Sequence, residues 1–187
     1  PSRDSEVFIG IQGLREAVVK FLTLAAIQEE PHTLYLYSDQ PMDWITDDAE
    51  FANKWSVLMA LVLQRKNRVC IIHNINRSLP EMFMAIQKWL PLYMTGLIQA
   101  YFCPEIQESR FCQTMFIIPG LFSISAAFVS GTEDSAEYHF NSEKKRVDYH
   151  YSQFSVLLKK SEPLIQIFSF QNQADYSRCS RKLKAAN

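Results

Sequence analysis

"FCQTMFIIPGLFSISAAFV", residues Phe111–Val129, decides how the sheet of this protein is read. Two apolar runs rich in β-branched and aromatic residues flank Pro119-Gly120. Proline presets the first corner of a tight turn and glycine accepts the second, so the stretch predicts a β-hairpin. The second strand ends in small residues, Ser125, Ala126 and Ala127.

Further strands lie upstream. "RVCIIHNINR" (Arg68–Arg77) is almost continuously apolar until His73. That pattern fits burial on both faces, as in a central parallel strand. "HTLYLYSD" predicts a strand over about Thr33–Tyr37, bounded by Pro31 and "SDQP", and "LIQAYF" predicts another. Helices alternate with them. Leu14, Ala17, Val18, Phe21, Leu22 and Ala25 form one helical stripe, and Phe51, Trp55, Leu58 and Val62 form a second, with Asp47 and Glu50 as its capping pair. "SLPEMFMAIQKWLPLYMTG" predicts a helix opened by Ser78 and Glu81, interrupted at Pro91 and stopped by Gly96. After the hairpin, "YHFNSEKKRVDY" offers a short edge strand. A last helix is expected over about Tyr149–Phe168, its stripe running Tyr151, Phe154, Leu157, Leu158, Leu164, Ile165 and Phe168, with a kink at Pro163.

The alternation defines an α/β fold: a mixed, largely parallel sheet flanked by helices on both faces. We read one domain, with an N-terminal helix within residues 1–30, a sheet core over 33–168 and a polar tail over 171–187. The 187 residues suffice for a full core, and 48% apolar with 21% charged residues is ordinary for a globular chain. Five glycines argue against a glycine-rich phosphate loop, and a net charge of −1 gives no nucleic-acid footprint. The basic "RCSRKLKAAN" reads as a solvated terminus. Cys70, Cys103, Cys112 and Cys179 form no CxxC pair and the histidines form no H-x3-H pair, so neither metal nor cofactor is expected. A reducing, cytoplasmic setting follows from the cysteine usage, and no membrane span is apparent. The chain opens at Pro1 without an initiator Met, which points to a piece of a longer polypeptide.

Ligands of open α/β sheets sit beyond the carboxyl ends of the strands. Two polar clusters fall there: "SDQPMDW", with Ser38, Asp39, Asp43 and Trp44, and "HNINR", with His73, Asn74, Asn76 and Arg77. Trp89 and Tyr93 can reach the same rim. Taken singly, Ser38, Asp39 and Asn76 are ordinary turn caps and His73 an ordinary strand-end histidine. Together they predict a polar pocket with an aromatic wall, its ligand-binding residues being Asp39, Asp43, Trp44, His73, Asn76, Arg77 and Tyr93. No serine or cysteine stands in a nucleophile motif, and no catalytic residue is assigned.

The order of elements, ending in a hairpin whose first strand would hold H-x-K-x4-D, resembles half of a phospholipase-D-like domain over about Thr33–Phe168. In active members of that family the histidine attacks phosphorus and the lysine binds phosphate oxygens. Here the histidine position falls on Cys112, the lysine on Thr114 and the aspartate on Pro119; Gly120 holds the turn, and Ser125, Ala126 and Ala127 fill the small-residue end. The resemblance therefore implies the fold without the chemistry.

"LYLYSDQPMDWITDDAEF", "RVCIIHNINRSLPEMFMAIQKWLPLYMTG" and "MFIIPG" are similar to segments of the C-terminal regions of Firmicutes helix-turn-helix regulators. That likeness implies a sensing or oligomerising domain, a homodimer, and DNA contact only through a domain upstream of Pro1. The expected function is a non-catalytic, ligand-sensing and dimerising domain of a bacterial transcription regulator. Its ligand would be small, an anionic group pairing with Arg77, an apolar part packing on Trp44 and Tyr93, and Asp39, His73 and Asn76 orienting it. Two alternatives stand beside it: a divergent phosphodiesterase or transferase using His73, and a plain protein-interaction module.

Overall fold

A computed structural model describes residues 4–74, 89–104 and 110–164. In chain order the strands are β1 (Ser5–Ile9), β2 (Thr33–Ser38), β3 (Arg68–His73), β4 (Ile98–Phe102), β5 (Phe111–Ile118), β6 (Phe122–Val129), β7 (Glu137–Asn141) and β8 (Glu162–Pro163). The helices are α1 (Gly10–Ala26), α2 (Asp43–Thr46), α3 (Ala49–Gln64) and α4 (Lys144–Lys159), and residues 89–93 are also helical.

The strands form one mixed sheet in the order β1-β7-β6-β5-β2-β3-β4-β8. It is parallel across β2–β3 and β3–β4, and its other pairs are antiparallel. The parallel part is thus narrower than the sequence suggests. Crossovers such as β2–α3–β3 enforce parallel pairing in the centre, whereas the hairpin β5–β6 and its short extension to β7 run antiparallel because tight turns reverse the chain.

The hairpin forms as predicted, with Ile118 opposite Phe122 and Gly120 at φ +77°. "YHFN" is a strand, but an internal one: β1 pairs outside it, Val7 opposite His139. β1 was not legible, since "SEVFI" offers only three consecutive apolar residues after Ser5 and Glu6, too few to show a period. Immediately after it, Gly10 takes φ +70° and starts α1.

The two faces of the sheet carry separate cores. On one, α1 and α3 pack Leu14, Phe21, Leu22, Trp55, Met59 and Val62 against Leu34, Leu36, Val69, Ile71, Phe116 and Ile124. On the other, α4 packs Val147 and Phe154 against Tyr37, Cys70, Ile72 and Ile117. Strand alternation produces the division, because neighbouring residues of β2 and β3 point to opposite faces. Each fully buried Leu, Ile or Phe side chain contributes roughly 1.5–3 kcal/mol. Burial pushes the Cys70 thiol up to about 11, which suits its place as a small neutral core residue.

Helix ends differ from the expectations in three places. Asp48 rather than Asp47 caps α3, its Oδ1 accepting from the Phe51 N–H at 2.9 Å. Residues 89–93 stay helical through Pro91. α4 starts at Lys144 and ends at Lys159, and Pro163 lies opposite Tyr101 in β8, an edge strand, where a missing N–H is tolerated. The Ser78–Glu81 pair, Ile165, Phe168 and the polar tail lie outside the described residues.

Candidate functional site

The parallel register of β2 and β3 sets Ser38 opposite His73, so the two polar clusters leave the sheet side by side. On their α1/α3 side a cavity of about 70 Å³ opens at the strand ends. Ser38, Gln40, Met42, Trp44 and Ile45 line it from one segment, His73 and Asn74 from the other. α1 contributes Val18, Phe21 and Leu22, α3 contributes Trp55 and Met59, and Trp89 completes the aromatic wall. The 3 tryptophans of the chain, Trp44, Trp55 and Trp89, all line this space. None of the described lining residues is Lys, Arg, Asp or Glu.

Its floor is a neutral hydrogen-bonded group. The hydroxyls of Ser38 and Thr114 lie 3.0 Å apart. Gln40 is 1% exposed. Its Oε1 accepts from the Tyr138 hydroxyl at 2.9 Å and from Thr114 Oγ1 at 3.3 Å. Burial raises the Tyr138 pKa, so the phenol remains a donor.

The predicted site residues divide. Trp44 is buried in the wall beside Phe51 and Phe116, with ring centroids 5.9 and 6.4 Å away. Arg15 holds its helix, α2, donating from Nε to the Trp44 carbonyl at 2.8 Å while pairing with Asp48 at 3.2 Å. His73 lines the cavity, hydrogen-bonds through Nε2 to the Tyr93 hydroxyl and meets Trp89 edge-on at 5.6 Å. Tyr93 therefore stands behind His73 rather than in the wall, and burial raises its pKa.

Asp39 turns elsewhere. Its Oδ1 accepts from the Gln113 N–H at 2.5 Å, its own N–H donates to the Gln113 carbonyl at 3.2 Å, and the Tyr37 hydroxyl donates to Oδ2 at 3.2 Å. It ties β2 to the hairpin and is not among the lining residues. Asp43 is exposed in the first turn of α2 and is not among the lining residues of this cavity. Asn76 and Arg77 lie outside the described residues. Gln40, Trp55 and Met59 line the cavity and were missed as site residues, as was Thr114, which stands behind Ser38 and Gln40. A period-2 reading of Leu34, Leu36, Ser38 and Gln40 would have found Gln40.

The hairpin positions can now be placed. Cys112 and Thr114 alternate with Phe116 and Ile118 on the α1/α3 side, both buried, and Ala126 sits opposite Thr114. Thr114 holds a neutral hydroxyl at the floor, and Cys112 packs among apolar side chains. No group of three or more His, Cys, Asp or Glu suited to a metal occurs among the described residues. Among them too, no helix is long and apolar enough to cross a membrane.

The mixed sheet with its central hairpin and helices on both faces has a phospholipase-D-like fold. Comparison with solved structures gives the particular neighbours. Nuc from Salmonella typhimurium, a phospholipase D family member, superposes with a TM-score of 0.52 at 12% identity, over 87% of this chain and 100% of that one. NucT from Helicobacter pylori gives 0.50 at 13% identity, over 86% and 98%. The archaeal chromatin protein TrmBL2 gives 0.57 at 12% identity over 87% of this chain, which spans only 55% of TrmBL2. No family model and no curated protein matches the sequence itself.

Proposed function

We propose that this chain is a non-catalytic, ligand-sensing and dimerising domain of a bacterial transcription regulator, with a phospholipase-D-like fold serving as the binding scaffold. The observation that carries the reading is the cavity at the strand ends, where a neutral Ser38–Thr114–Gln40 floor lies under three tryptophans. Phosphoryl transfer needs a nucleophile and a fixed positive charge on the transferring oxygens. The two hairpin positions that would supply them carry Cys112 and Thr114. A concave, mostly apolar space with a few convergent polar groups is what small-molecule recognition uses. The likeness to TrmBL2, described as having its own mode of DNA binding, supports placing this fold in a DNA-bound assembly. In that assembly two copies pair about a two-fold axis, and a ligand that favours one arrangement shifts the spacing of attached DNA-binding units.

The test is thermal unfolding against a panel of small metabolites, with sedimentation to follow the oligomeric state. A ligand at 100 times its Kd adds about 2.7 kcal/mol, enough to raise Tm by several degrees. A saturable rise in Tm supports the sensor. A panel that moves nothing, on a protein that nevertheless self-associates, favours the plain interaction module instead.

A further inference from the structure

The two edges of the sheet are built differently. At β1 the Ser142 N–H donates to the Asp4 carbonyl at 2.9 Å and the Gly10 N–H to the Ala136 carbonyl at 2.8 Å. Hydrogen-bonded pairs alternate along an antiparallel ladder, so Asp4, Glu6, Phe8 and Gly10 turn their backbone polar groups toward β7. Ser5, Val7 and Ile9 turn theirs outward, to the side where no described strand lies. The side chains divide in the same way. Phe8 packs against the α1/α3 core and Glu6 pairs with Lys20 of α1, whereas Val7 and Ile9 lie on the opposite face, 51% and 64% exposed. Natural edge strands are blunted by proline, lysine or inward-pointing charge. β8, toward the far edge, carries Glu162 and Pro163; β1 has no proline or lysine, and its charged residue is the one held by Lys20.

We propose that β1 is the contact through which two copies of this chain associate, pairing antiparallel about a two-fold axis at Val7 and joining their sheets edge to edge. This rests on the dimerising part of the proposed function and gives it a surface. Identical antiparallel strands are self-complementary, as a two-fold interface must be. Centred on Val7, the pairing sets Val7 against the partner's Val7 and Ser5 against the partner's Ile9, so every outward N–H and carbonyl of the strand gains a partner. A slip along the strand leaves some of them unpaired. On the exposed face, Val7 and Ile9 of both copies form one apolar cluster, the cross-strand contact that stabilises a sheet. On the α1 face Glu6 meets the partner's Phe8, so like charges are not set opposite each other. Five residues a side make a small interface beside the roughly 1,200–2,000 Å² of a stable one, so the dimer forms and separates with concentration.

Sedimentation velocity of the whole chain, from micromolar to near-millimolar concentration, tests this. The wild type should pass from monomer to dimer. Val7→Pro removes an outward N–H and leaves the ladder to β7 intact. It should weaken association at least about tenfold, since the N–H is lost from both copies. Val7→Lys and Val7→Glu should each weaken it too, by placing like charges on the axis, and an equimolar mixture of the two should recover the dimer. Recovery requires Val7 to meet its own copy, and a fold merely damaged at β1 would not give it. If Val7→Pro fails to fold, the charge pair still decides. A wild type that dimerises, with variants that dimerise equally or a mixture that recovers nothing, overturns the proposal and leaves the dimerising reading standing. A wild type that stays monomeric throughout overturns both, and the sensing reading is then judged on the metabolite panel.

Discussion

Thr114 and His150 show at the residue scale how the two faces of the sheet treat polar groups. On the cavity side, the Thr114 hydroxyl is fully buried and shared between Ser38 and Gln40. Thr114→Val keeps the shape and removes those bonds. It should cost about 1–3 kcal/mol in urea unfolding, because the buried partners lose a hydrogen-bonding neighbour. A neutral result would mean the floor is not held by this hydroxyl. On the opposite side, the Ser123 hydroxyl lies 2.8 Å from His150 Nδ1. Burial lowers the His150 pKa, and the nearby positive charges of Arg146 from its own helix and His139 from β7 lower it further. A histidine that titrates lower when folded binds fewer protons than the unfolded chain, so its contribution is present above pH 6.5 and is lost as pH falls from there through the lowered folded value. Stability should therefore drop between pH 7.5 and 5 more steeply in the wild type than in His150→Gln. Equal slopes in the two proteins would show that His150 is not the group responsible.

At the scale of the element, α1 is the support on which the cavity wall rests. Val18, Phe21 and Leu22 line the space, and Arg15 from the same helix bonds the Trp44 carbonyl in α2. Gly13 brings α1 against β1 so closely that a Cβ there would lie 2.8 Å from the Phe8 carbonyl carbon. Backbone cannot swing aside as a side chain can. Gly13→Ala should therefore destabilise by about 1–3 kcal/mol, even though alanine is the better helix former by roughly 1 kcal/mol. A stabilised variant would contradict this packing. The stripe of α1 was legible because six apolar positions repeat at helical spacing. β1 was not, and neither was the need for Gly13, since close approach depends on a strand that carries no pattern of its own. The end of the last helix was misplaced for a related reason: Leu164 continues the apolar spacing, but its N–H goes to the Ala100 carbonyl at 2.8 Å, so β8 takes the chain before helix can continue.

For the whole molecule, the sheet brings together what the sequence separates. Ser38 and His73 are adjacent only because β2 and β3 run parallel, and the nearly unbroken apolar run of "RVCIIH" made that much legible. Whether Asp39 faces the cavity or the hairpin was not legible, because it depends on which strand lies on the other side of β2. That strand is β5, and Gln113 takes both the side chain and the backbone of Asp39. The same arrangement puts Thr114 under the cavity and makes the site a matter of neutral hydrogen bonds and aromatic walls. The most direct measurement is hydrolysis of bis(p-nitrophenyl) phosphate by the wild-type protein alongside His73→Ala. No turnover above buffer is expected in either protein. Wild-type turnover that disappears in His73→Ala would contradict the proposed function, because it would restore phosphodiester chemistry to the cavity at the strand ends.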